Sequence, residues 1–270
     1  MREFAGRTAL ITGGASGIGL ALARAAAARG MRVVLCDRDA GALVSAAGAL
    51  RDGGATVLPL VVDVTDREAW RGAVEQVRIF GPLHLVCANA GVAPAGAPLS
   101  TMAPEAWDRI LGINLTGVFN TVQATAPLLR EHGQGGHIVL TSSMAGMLAA
   151  AAIGDYVVTK YGVSALGEAL RAELAPENIG VSVLYPGVVA TPLVGDSRST
   201  GMAPEAVAAR VLQGIEADEL FIFTHADYRP LVAARLDAIL AAFGPSAQDG
   251  FTESDGVLSM MSSTAYPPRL

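Results

Sequence analysis

The segment Tyr156-Val157-Val158-Thr159-Lys160 holds the single lysine of a 270-residue chain whose other eighteen Lys/Arg positions are all arginine. An ammonium is a compact point charge with rotatable donors, and a guanidinium does not replace it. Residues four apart share one face of a helix, so this spacing sets a phenol beside an ammonium. A nearby cation stabilises phenolate and draws a tyrosine down from its usual pKa of about 10. The result is an acid/base usable near neutral pH. A surface tyrosine and lysine on an amphipathic helix would read the same way, so the pair takes its meaning from the rest of the chain.

A second chemical signal is Thr12-Gly13-Gly14-Ala15-Ser16-Gly17-Ile18-Gly19. Glycines between a strand and a helix let backbone approach a pyrophosphate, and the helix N-terminus supplies N–H donors and positive dipole. The spacing is G-x-x-x-G-x-G, a weak signal alone among 31 glycines. Asp37, at the end of the next apolar run, can accept from ribose hydroxyls and repel a 2′-phosphate. That favours NAD, while Arg38 beside it keeps NADP possible. Asp63 ends a third run and can accept from an adenine amino group, or it can simply precede a helix whose Thr65-Asp66-Arg67-Glu68 reads as a capping box. Asn89-Ala90-Gly91 ends a fourth run, at the sheet edge where ligands bind or where a strand merely turns.

The elements that must position these residues alternate along the chain. Strand-like runs fall at 8–11, 32–35, 56–62, 83–87, 137–140, 181–184 and 220–223. Helical stretches fall at 18–29, 40–51, 67–80, 106–130, 155–174 and 204–215. Continuously apolar strands with helices between them predict one α/β domain over 1–243, a doubly wound, Rossmann-type parallel sheet of about seven strands covered on both faces. Residues 244–270 are rich in Ser, Pro and Gly and predict an irregular arm. Residues near 192–203 have the composition of a substrate lid, with Gly195 and Gly201 as hinges.

Bulk properties narrow the class. A net charge of −6 and a pI near 5.2 argue against nucleic-acid or anionic-membrane partners. The most apolar stretch, 147–153, is too short to span a bilayer, and no run reads as a secretory signal. Cys36 and Cys87 close strands that flank the first strand, roughly 9–10 Å apart, beyond disulfide reach. A reducing cytoplasm is the simplest compartment. His84, expected in a strand, and His132, His137 and His225 lack ligand spacing, so no metal is expected. No G-x-S-x-G elbow supports a serine hydrolase.

Together the glycine loop, Asn89-Ala90-Gly91, Asn114, Ser142-Ser143, Tyr156-x-x-x-Lys160 and Pro186-Gly187 resemble the short-chain dehydrogenase/reductase family, in its compact rather than its extended branch. The resemblance covers about residues 4–242. It implies Tyr156 as catalytic acid/base and Lys160 as the residue that binds the nicotinamide ribose and depresses the tyrosine pKa. It implies Ser143 as the hydrogen-bond partner of the substrate oxygen, and Asn114 as the holder of a relay water beside the lysine. Ser142 should face the other side of the strand. Cofactor contacts are implied for Gly13, Ser16, Gly17, Ile18, Gly19, Asp37, Arg38, Asp63, Val64, Asn89, Ala90, Gly91, Pro186, Gly187 and Val189, with Thr191 at the carboxamide. The family also implies a homodimer or homotetramer, built on helices 106–130 and 155–174.

The expected reaction is hydride transfer between a nicotinamide cofactor and a secondary alcohol or ketone. Segments 144–153, 188–194 and 92–99 should line the substrate pocket and are overwhelmingly apolar, so the small-molecule substrate is expected to be hydrophobic: aryl, terpenoid or steroid-like. A polar polyol or sugar, a dehydratase or epimerase on the same scaffold, and a catalytically silent dinucleotide-binding regulator are the alternatives.

Overall fold

Strand β1 (Thr8–Thr12) feeds helix α1 (Gly17–Ala28), and the alternation continues through β2 (Arg32–Asp37), α2 (Ala40–Asp52), β3 (Val57–Val61), α3 (Arg67–Phe80) and β4 (Leu85–Ala88). Then follow α4 (Pro104–Leu111), α5 (Gly117–Glu131), β5 (Gly136–Thr141), α6 (Gly154–Leu174), β6 (Ile179–Tyr185), α7 (Pro204–Glu216), β7 (Phe221–Phe223) and α8 (Arg229–Ala241). The structure is a computed structural model, and it describes residues 1, 3–193, 195 and 200–243. The expected arm at 244–270, and positions 194 and 196–199 of the expected lid, lie outside the described residues.

The seven strands form one parallel sheet in the order β3-β2-β1-β4-β5-β6-β7. Its strands are apolar on both faces because both faces are covered. Ala9, Ile11, Val33 and Leu35 point into a core shared with α1, α2 and α7. Leu10, Val34 and Cys36 alternate into the opposite core, with Trp70 of α3, Val118 of α5 and Val163 of α6. Cys87 shares the first core and Cys36 the second, so the two thiols lie on opposite faces. Burial pushes both up to about 12.

Four readings need correction. The helix expected over 106–130 starts at Pro104 and contains a π-helical turn, Gly112–Thr116, between α4 and α5. The cap of α3 is Asp66, not Thr65: Asp66 accepts the N–H groups of Glu68 and Ala69, while the Thr65 hydroxyl donates to Asp63 at 2.7 Å. His84 lies just before β4, with its ring 4.5 Å from that of His132. Helix α8 had no counterpart in the sequence reading, and it buries none of its residues, so no apolar face marked it.

Candidate active site

The strand order reverses between β1 and β4, and there the sheet's carboxyl edge opens into a crevice. Thr12 stitches it. Its hydroxyl accepts the N–H groups of Asn89 (2.9 Å) and Ala90 (3.1 Å). Asn89 donates back to the Thr12 carbonyl at 3.1 Å and accepts from the Thr141 hydroxyl at 3.2 Å. Three strand ends are thus tied together by side chains. Asn89 therefore braces the glycine loop from behind. A Cβ on Gly19 would lie 2.0 Å from the Gly13 carbonyl oxygen and 2.8 Å from Asn89 Nδ2.

Gly17 adopts φ +51°, a left-handed conformation that glycine takes at little cost. Thr191 packs its methyl group over that glycine. Helix α1 begins at Ser16 with no capping side chain and no acidic residue in its first turn, so its leading N–H groups remain available to an anion. Asp37, closing β2, accepts from Ala15 N and Asp39 N, each at 3.1 Å. Asp63 is held below the usual carboxylate range, first by the Thr65 hydroxyl and then by its N–H, with the Arg38 guanidinium contributing. The no-Cβ cradle, the uncapped helix start and the carboxylate at the end of β2 fit a dinucleotide. Gly13, Ser16, Ile18, Asp37, Arg38, Asp63, Val64, Asn89, Ala90, Gly91, Pro186, Gly187, Val189 and Thr191 all line one cavity of about 950 Å3. Gly19 does not line it and acts through the close approach to Gly13.

The same cavity is lined by Ser143, Tyr156 and Lys160. Tyr156 stands in the first turn of α6, where Asp155, fully buried, accepts from Tyr156 N and from Ala95 N, each at 2.8 Å. This anchor of the 92–99 loop to the helix start was not foreseen; its one sequence signal is an acidic residue in a first turn. Lys160 is buried, donates to the Thr141 carbonyl at 2.8 Å, and sits 5.3 Å from the Tyr156 ring centroid. Burial pushes its ammonium down to about 8. The tyrosine departs from expectation: burial raises its pKa, and the Ser143 hydroxyl only partly opposes that. Lys160 does not enter that balance.

Ser143 Oγ accepts from Ala145 N at 3.1 Å and donates to the Pro186 carbonyl over a long 3.4 Å. Ser142 faces away, donating to the Lys160 carbonyl at 2.8 Å, as its strand position requires. Asn114, fully buried in the π turn, accepts from Val92 N (2.8 Å) and donates to Val92 O (3.0 Å). Its side chain thus holds the turn after β4. Gly91 lies between that amide and Lys160: a Cβ there would be 3.3 Å from Asn114 Oδ1 and 3.8 Å from Lys160 Nζ.

The far part of the cavity is apolar, with Ala93, Pro94, Leu148, Ile153, Val188 and Leu193 among its lining. Of the expected 92–99 segment only Val92, Ala93 and Pro94 line it, because Ala95 turns to Asp155. Val194 lies outside the described residues. Gly201 is no free hinge, since a Cβ would lie 2.5 Å from Ala190 N at the Val189–Met202 bridge. Tyr228, which the sequence reading missed, also lines the cavity.

Among the described residues no group of three or more His, Cys, Asp or Glu could hold a metal ion, and no helix is long and apolar enough to cross a membrane. The family model described as short chain dehydrogenase matches residues 7–201. The chain is 34% identical over 242 residues to 1-deoxy-11-beta-hydroxypentalenate dehydrogenase of Streptomyces exfoliatus, covering 86% of this chain and 88% of that one. It is also 34% identical over 229 residues to 3-alpha-(or 20-beta)-hydroxysteroid dehydrogenase of Mycobacterium bovis, covering 82% and 83%. A solved short chain dehydrogenase/reductase from Burkholderia phymatum, in complex with NAD, superposes with a TM-score of 0.86 at 29% identity, covering 94% of this chain and all of that one. The chain belongs to the short-chain dehydrogenase/reductase family of NAD(P)-dependent oxidoreductases.

Proposed function

We propose that this enzyme interconverts a lipophilic secondary alcohol and its ketone, with Tyr156 as the acid/base and NAD as the preferred cofactor. One observation carries the reading: a single cavity joins a glycine cradle, the Ser143–Tyr156–Lys160 group and an apolar wall. The hydride acceptor or donor would be supplied by a nicotinamide held in this cavity. In oxidation the Tyr156 phenolate removes the carbinol O–H proton; in reduction the phenol returns a proton to the ketone oxygen. Ser143 exchanges its long bond to Pro186 for one to the substrate oxygen and fixes it beside the phenol. Lys160, which donates to the Thr141 carbonyl, would hold the nicotinamide ribose hydroxyls, and Asn114 keeps the turn beside it in place. Any water held at Asn114 would meet its main chain, because the side-chain amide is committed to Val92.

The pyrophosphate would rest on Gly13, Ser16, Gly17, Ile18 and Gly19, and the adenosine ribose on Asp37. Asp63 and Val64 would flank the adenine, and Thr191 the carboxamide. Asp37 repels a 2′-phosphate, so NAD is favoured over NADP. The apolar lining supports a hydrophobic substrate, because a polyol would leave polar groups unpaired at about 1–3 kcal/mol each. The relatives named for hydroxypentalenate and hydroxysteroid point the same way.

Two buried, widely separated thiols suit a cytoplasmic enzyme. Phe119 of α5 and Val158 of α6 are 42% and 39% exposed, which supports pairing of these helices across a two-fold axis in a homodimer or homotetramer. A monomer mass by light scattering at micromolar concentration would count against that pairing. The deciding assay compares kcat/KM on aryl carbinols and steroid alcohols with that on a polyol series, with NAD and NADP in parallel. Higher efficiency on the polyols, or equal efficiency with NADP, rejects the corresponding part. Absence of any turnover restores the silent regulator, and a product of unchanged redox state the dehydratase or epimerase.

A further inference from the structure

The polar side chains along the cavity are almost all accounted for. Ser16, Asp37, Arg38, Asp63, Asn89 and Thr191 belong to the cofactor half, and Ser143, Tyr156 and Lys160 to the reacting centre. Thr141 and Ser142 spend their hydroxyls on Asn89 and on the Lys160 carbonyl. That leaves Tyr228, whose hydroxyl makes no hydrogen bond with any described residue.

Tyr228 is also firmly seated. Its ring rests on Gly187, where a Cβ would lie 3.0 Å from Tyr228 Cε2 and 2.9 Å from His225 Cγ. His225 meets it edge-on, with centroids 6.2 Å apart at 80°. The imidazole is pinned in turn: Nδ1 accepts from Gly187 N at 3.1 Å, and Nε2 donates to the Val188 carbonyl at 3.2 Å. Thr224 Oγ1 lies 2.7 Å from the same Nδ1. From the other side Tyr228 packs against the cluster of Met144, Val183 and Tyr185. A phenol fixed in this way pays little entropy to bind and offers an apolar face with one polar tip.

We propose that Tyr228 is the specificity-determining residue of the substrate pocket, its hydroxyl hydrogen-bonding a second oxygen of the substrate, remote from the reacting carbinol. The preferred substrate is then a lipophilic alcohol with oxygen at two places: the carbinol that reacts and, far from it, a hydroxyl, keto, ether or carboxylate group. A purely hydrocarbon far end would bury the Tyr228 hydroxyl unpaired, and a site built to bond an oxygen discriminates against the analogue that lacks it. This inference rests on the function proposed above.

The test uses two matched pairs: a steroid with one secondary hydroxyl against the same skeleton bearing a far keto oxygen, and a 1-arylpropanol against its para-hydroxylated analogue. The readout is the ratio of kcat/KM, two-oxygen over one-oxygen compound, in the unmodified enzyme and in Tyr228→Phe, which keeps the ring and removes the hydroxyl. The ratio is expected to fall about tenfold for at least one pair, through KM of the two-oxygen compound, as loss of one hydrogen bond requires. A ratio unchanged within about twofold for both pairs, or a fall through kcat alone, overturns the inference and leaves the proposed function standing. Failure of the unmodified enzyme to turn over either pair overturns both.

Discussion

Burial and the Ser143 hydroxyl act on the Tyr156 proton in opposite directions, and burial prevails. Oxidation needs the phenolate and reduction the phenol. The kcat/KM of oxidation is therefore expected to rise with pH on the alkaline side and that of reduction to fall, which paired pH profiles would check. Tyr156→Phe should lower turnover by at least about a hundredfold, the scale of lost general acid/base assistance, while a cofactor fluorescence titration remains near normal. Lys160 bears on stability. Its ammonium titrates at about 8 in the fold, against roughly 10.4 in an unfolded chain. Below pH 8 both states hold the proton and the fold carries the whole burial penalty. Between those values only the unfolded chain stays protonated, so stability rises with pH. Denaturant titrations of the cofactor-free protein should show the unmodified chain gaining roughly 2 kcal/mol on Lys160→Met between pH 8 and 10.

Between β1 and α1, the glycine turn is shaped by what cannot be there. A methyl group on Gly19 would lie 2.0 Å from the Gly13 carbonyl, a distance no real contact adopts, so the loop would have to open. Gly19→Ala is expected to raise the dissociation constant for NAD at least about tenfold, as a displaced anion cradle loses its aligned donors. Calorimetric titration of NAD measures it directly, and near-normal affinity would show that the loop does not hold the pyrophosphate. The glycine spacing was legible in the sequence because it is local. The π turn was not: a run of weak helix formers such as Gly112–Thr116 does not tell a widened turn from a break, and the two bonds that Asn114 makes there with Val92 reach across 22 positions. The cap of α3 also escaped, since Thr65 and Asp66 are both good capping residues and only the bond from Thr65 to Asp63 decides between them.

Across the whole molecule the candidate site lies at the carboxyl edge of the sheet, and a sensitivity to acid lies between β5 and β6. His137 is fully buried there. Ser182 gives its proton to the Glu219 carbonyl and so accepts from His137 Nε2 at 2.8 Å, which leaves Nδ1 without a hydrogen-bond partner, 4.0 Å from an Asp218 carboxylate oxygen. Burial pushes this imidazole down to about 3. Between pH 6.5 and that value the unfolded chain takes up a proton that the fold refuses, so stability falls as pH falls. The loss should reach roughly 2 to 3 kcal/mol by pH 4.5, and His137→Gln should lack it in denaturant titrations at pH 6.5 and 4.5. By itself the sequence determined the alternation of strand and helix, the parallel sheet, the glycine turn and the Tyr156–Lys160 pair. Each rests on periodicity or spacing within one element or across one turn. Tertiary structure alone decided that Lys160 is turned to Thr141, that Asp155 ties the 92–99 loop to α6, and that Tyr228 lines the cavity. Those contacts join segments far apart in the chain, and which polar groups end up buried without water is settled only when the two faces of the sheet close.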